Sequence, residues 1–156
     1  MERRGLLKLA CAIMPITALD ARAEAARAEE LRTQAAQQRD QARVVYHLSD
    51  LDKADFVLGN IRNHYNGMGG PDKVTIALVV HGPALKAFHL DGASQDVAQR
   101  IDEMHKSGLG LHACINTMRA QNITLKDLLP GFVVADKGGV VRLAEFQAQG
   151  YVYLRP

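Results

Sequence analysis

Residues 108–118, GLGLHACINTM, run from a glycine through a short apolar stretch into Cys114 and on into a helix-forming sequence. A cysteine just before a helix start meets unpaired N–H groups whose partial positive charge favours the thiolate, the nucleophilic form of the side chain. Asn116 and Thr117 add hydrogen-bonding groups in that first turn. Three histidines fall within reach of the same chemistry: His47 near the end of one apolar run, His81 opening HGP after another, and His112 two residues before the cysteine. By the two-residue alternation of a strand, His112 shares a face with Cys114. Gly82 permits close backbone approach, and Pro83 stiffens the exit from that turn. Four readings follow from the residues alone. Cys114 is a working thiol, or an inert core residue of a type that is often buried. It could ligate zinc or copper with His47, His81 or His112. A Cys-His hydrolase is weaker, because no third, orienting group can be named. We assign no metal and no cofactor.

The elements that must position these groups alternate. RVVYHLS (43–49) and KVTIALVVHG (73–82) are rich in β-branched residues and apolar on both faces, as buried parallel strands are. Between them Asp50 is placed to cap a helix with its stripe at Leu51, Ala54, Leu58, Ile61 and Tyr65, closed by NGMGGPDK. Ser94 caps a second helix carrying Val97, Ile101 and Met104 on one face, with Gly108 closing it. A strand ending at Cys114, a short helix, a strand in GFVVADK (131–137), a helix from about Gly139 to Gln147 and a last strand in YVYLRP complete the chain. The pattern predicts an α/β fold: three α/β/α layers around a mainly parallel five-stranded sheet. In such a sheet, chemistry gathers at the carboxyl ends of the strands, where His47, His81 and Cys114 all fall.

The chain has 156 residues, the size of one ordinary domain. Its net charge is +2, and the excess sits in the first forty-three residues, with eight Lys and Arg against six Asp and Glu. The balanced remainder has no basic stripe, so nucleic acid is not an expected partner. Residues 1–23 have the layout of an export signal: a charged start, a short apolar stretch and small residues at Ala21-Arg22-Ala23. Arg3 and Arg4, in RRGLLK, resemble a twin-arginine pattern, and the apolar stretch is too short to span a bilayer. A periplasmic location with a mature start near Glu24 is therefore expected, an uncleaved tether being the alternative. The chain holds 2 cysteines, and cleavage would remove Cys11, leaving Cys114 alone. Residues 24–42 read as a polar helix or flexible spacer, and 43–156 as the domain.

VVYHLSD, LGNIRNHYN, VVHGPAL, HACINTM and LPGFVVADKGGVVRLAEFQAQGYVYLRP together resemble the DsrE/DsrF-like family of small α/β proteins over residues 43–156. The resemblance implies the three-layer fold and assembly into homotrimers or homohexamers. In the family's sulfur-relay branch a cysteine at this strand end carries a persulfide, and Cys114 is the position that matches it. The expectation is thus a sulfur-binding, persulfide-carrying protein, sulfurtransferase-like at most, with His81, Gly82, His112, Asn116 and Thr117 around the thiol and a protein donor or acceptor of sulfur as partner. The alternative is a non-catalytic oligomeric module that binds a small ligand or protein, with Cys114 structural.

Overall fold

A computed structural model describes residues 18–156. Two units divide the chain, Met1–Asp40 and Gln41–Pro156. Within the first, helix α1 spans Ala18–Asp40, and its residues 22–33 are exposed. A helix polar all round buries nothing of its own. Ala21-Arg22-Ala23 lies inside it, whereas Arg3, Arg4 and Cys11 lie outside the described residues.

The second unit holds five strands: β1 (Ala42–Leu48), β2 (Val74–Val80), β3 (Gly110–Cys114), β4 (Phe132–Ala135) and β5 (Val152–Leu154). All pairs are parallel, in the order β4-β3-β2-β1-β5. Helices α2 (Ala54–Met68), α3 (Gln95–Lys106) and α4 (Ile115–Ala120) return the chain between the first four strands. They cover one face, where Val57, Leu58 and Ile61 of α2, Ile101 of α3 and Met118 of α4 pack on Tyr46, Leu78 and Leu111. Helix α5 (Gly139–Ala148) covers the other, with Leu143 and Phe146 on Val45, Ala77 and Val79.

The lone helix on that second face follows from the strand order. The first four strands advance in one direction, and the chain must then return from β4 at one edge to β5 at the other. With crossovers right-handed, reversing direction puts the connecting helix on the opposite face. Four strand spacings are about 19 Å, which a ten-residue helix of about 15 Å and its loops can cross. The loop after β3 therefore turns to one face and the loop after β4 to the other. The crevice opened by such a divergence is the usual ligand site of an open α/β sheet, and here it lies beside Cys114.

Two capping expectations meet different outcomes. Ser94 caps α3 as its sequence suggests, its hydroxyl accepting from the Val97 N–H at 3.2 Å. Asp50 makes no side-chain cap. A 3-10 turn, Leu51–Lys53, precedes α2, Leu51 is exposed, and the Asp50 carboxylate instead takes Arg155 at 3.3 Å. An ion pair to the end of the chain outcompetes a local cap that sequence spacing alone would favour.

Candidate functional site

Strand alternation puts His47, His81 and Cys114 on the face covered by α5, at the carboxyl ends of three adjacent strands. Cys114 is the N-cap residue of α4 and is only 6% exposed. Burial pushes its thiol up. The N–H groups of Thr117 and Gly139, the Thr117 hydroxyl and the Asn116 N–H together outweigh that cost and hold the thiol below its ordinary value.

Glycines make this approach possible. Gly138 has φ 100°, a left-handed conformation that favours glycine. A Cβ there would lie 2.9 Å from Asn116 Nδ2 and 4.0 Å from Cys114 Sγ, so its absence leaves room between the amide and the sulfur. At Gly139 a Cβ would lie 3.2 Å from the Cβ of both Cys114 and His81. Beyond Gly138 opens a cavity of about 240 Å³ lined by Asp136, Lys137, Arg142 and Glu145.

Thr117 has two jobs. Besides facing the sulfur, its Oγ1 accepts from the Gly82 N–H at 2.8 Å, tying the HGP turn to α4. Gln121, which no motif or spacing singles out, donates to the Gly82 carbonyl at 3.0 Å and pairs with His89 Nε2 at 2.8 Å. The turn that sets His81 is therefore held from both sides of one glycine.

His81 stacks on His47, with centroids 4.7 Å apart and Nε2 atoms at 2.5 Å, and His47 Nδ1 meets the Tyr153 hydroxyl at 2.6 Å. Burial lowers His47 most, His81 and Arg155 lower it further, and it falls to about 4. Burial and then Arg155 lower His81 as well. His112 shares the Cys114 face, yet its Nε2 turns back toward Gly110 and its ring packs edge-on against Phe146, with centroids 5.0 Å apart. It is brought under α5, away from the thiol, and burial followed by Arg142 lowers it to about 4. Tyr153 and Arg155 belong to the His47 surroundings and were missed as such. Their only sequence signal is their place in the terminal strand, whose neighbour is fixed by the register Val45 to Tyr153.

Cys114 is the one free cysteine among the described residues. Those residues hold no group of three or more His, Cys, Asp or Glu side chains placed to hold a metal ion. No helix among them is long and apolar enough to cross a membrane.

The DsrE/DsrF-like family model matches residues 32–156. Among solved structures, a protein of unknown function from Methanobacterium thermoautotrophicum is 27% identical, with a TM-score of 0.66, covering 74% of this chain and 100% of that one. The ychN protein from E. coli is 13% identical, with a TM-score of 0.52 and coverage of 74% and 99%, a likeness of fold alone. A search of the curated proteins gave no match.

Proposed function

Since the chain belongs to the DsrE/DsrF-like family, a family of sulfur-relay type, we propose that it is a sulfur-binding protein that carries a persulfide on Cys114. The observation that carries this reading is the placement of Cys114 at a strand end, as the N-cap residue of α4 and against Gly139 at the start of α5. N–H donors at helix starts stabilise a thiolate before attack and an anionic sulfur after it. In the step proposed, the Cys114 thiolate attacks the sulfane sulfur of a donor. A new S–S bond forms on Sγ, the donor's own bond to that sulfur breaks, and the electron pair leaves on the departing thiolate or sulfite. The room beside Gly138 suits the outer sulfur, with the Asn116 amide as its neighbour. A reverse displacement by an acceptor thiolate would pass the sulfur on.

Export to the periplasm, guided by Arg3 and Arg4, and self-association into a trimer or hexamer belong to the same proposal. Association is supported by apolar side chains left in water at one edge of the sheet and the start of α5: Val133 is 48%, Val140 69% and Val141 41% exposed.

One observation favours a second reading. Cys114 is almost fully covered in the single chain, as a structural cysteine would be. In that case the protein is a non-catalytic module and the thiol is packing. Intact-mass spectrometry after incubation with polysulfide or thiosulfate separates the two. Additions in steps of one sulfur, abolished by Cys114→Ser, are expected. No addition would leave the module reading.

A further inference from the structure

The chemistry proposed for Cys114 does not use the two histidines on the neighbouring strand ends, yet they form the tightest polar cluster in the domain. Tyr153 Oη, His47 Nδ1, His47 Nε2 and His81 Nε2 follow one another in a chain, with contacts of 2.6 and 2.5 Å. Counting donors limits what this chain can hold. A neutral imidazole carries one N–H, and an imidazolium carries two. Across 2.5 Å between the Nε2 atoms only one proton fits, because two N–H groups cannot point at each other.

Two neutral arrangements satisfy that limit. Either the Tyr153 hydroxyl donates to His47 Nδ1 and His47 Nε2–H donates to His81, or His81 Nε2–H donates to His47 and His47 Nδ1–H donates to the Tyr153 oxygen. A proton added from water gives a cation with both Nδ1 positions protonated and one proton between the Nε2 atoms. Tyr153 is then the acceptor, its own proton turned to solvent. A second added proton has no place until the rings part.

The charges facing the pair are few. Arg155, held by Ser49 Oγ at 3.0 Å and Asp50 Oδ2 at 3.3 Å, opposes the cation, and Asp50 favours it. Tyr153 faces the pair from β5, and α5 presents Gly139, which has no side chain to separate His81 from Cys114. Burial with Arg155 keeps both rings neutral at pH 7.

We propose that His47, His81 and Tyr153 are a single titrating unit that takes up one proton rather than two, switching the charge beside Cys114 from zero to one. The use of that charge to hold a nucleophile, though not the unit itself, rests on the reading of Cys114 as the working thiol. In acid the added charge favours the thiolate, so the nucleophile persists where an isolated thiol would be fully protonated.

Two measurements on the full chain carrying Cys11→Ser test this. Ring-nitrogen NMR of the histidines between pH 7.5 and 4 is expected to show His47 and His81 taking up one proton jointly. Two independent, complete protonations would overturn the proposal. The rate of Cys114 alkylation by iodoacetamide falls tenfold per pH unit for a lone thiol in acid. Here it is expected to flatten below the pair's titration, ending about tenfold above that line at the acid end. His47→Gln combined with His81→Gln, which removes every imidazole of the unit, should restore the straight fall. Tyr153→Phe removes a partner of both forms, but the bond to the cation is the stronger one, so the flattening should move lower by up to about one unit. A straight fall in the parent chain, or a flattening that survives the double substitution, would overturn it. Sulfur loading is read separately. Joint titration without loading removes the persulfide reading and leaves the unit, and loading without joint titration does the reverse.

Discussion

Thr117 is the residue on which the thiol depends most visibly. Its backbone N–H and its hydroxyl both help to hold the Cys114 thiol below its ordinary value, and the same hydroxyl holds the Gly82 amide at 2.8 Å. Thr117→Val keeps the shape and the backbone N–H but deletes the hydroxyl. The thiol should then titrate closer to its ordinary range, and alkylation at pH 7 should slow by roughly tenfold, one lost hydrogen bond to a charged group being worth about 1.5 kcal/mol. A rate unchanged by the substitution would mean that the backbone groups alone set the thiolate. The freed Gly82 N–H would also loosen the HGP turn, so His81 exchange broadening is a second expected readout. That Cys114, Asn116 and Thr117 sit together was legible in HACINT, because a strand end and a helix start leave no other place for them. Ring direction was not. His112 satisfies the alternation rule and still turns toward Gly110, because Phe146 offers its ring a covered, apolar face.

At the level of elements, the strands were readable because β1 and β2 are buried on both faces and so are apolar without alternation. What periodicity cannot supply is register between strands distant in sequence. The pairing of Val45 with Tyr153 brings the end of the chain to His47, and nothing local in either segment encodes it. The same holds for α5, whose contact with the thiol is made by a glycine, a residue whose meaning is the absence of atoms. Gly139→Ala would place a Cβ 3.2 Å from both Cys114 and His81. Overpacking of this kind costs typically about 1–3 kcal/mol, and α5 should shift off the sulfur. The expected result is a lower urea midpoint together with a thiol titrating at higher pH, because the Gly139 N–H moves away. Loss of stability with an unaltered thiol would show that this amide contributes little. By contrast, Ser94→Ala removes a cap remote from the site. It should cost about 1 kcal/mol in chemical denaturation and leave Cys114 reactivity as it was.

The whole domain inherits a pH dependence from the histidines that its core has covered. His47 and His112 are each lowered from 6.5 to about 4, by burial first in both cases. In the unfolded chain both return to their ordinary value. Between pH 6.5 and 4 the unfolded state therefore binds more protons than the folded one, so the stability of the fold falls as pH falls through that window. Above 6.5 neither state carries these protons and the contribution is constant. Below about 4 His112 and the His47–His81 pair each carry one proton in the folded state too, and the slope becomes smaller. Both rings keep some contact with water, so the full shift is discounted, and a combined slope of about 1 kcal/mol per pH unit is expected in mid-window. Urea unfolding of the full chain at pH 7, 5.5 and 4.5 measures it, and His112→Gln, which keeps a polar side chain under Phe146, should remove part of the slope. A flat profile across the window would mean that both rings protonate in the folded state as readily as in water. That outcome would also count against the packing of His112 beneath α5, because a ring placed there has its Nδ1 buried with no partner to receive a second N–H.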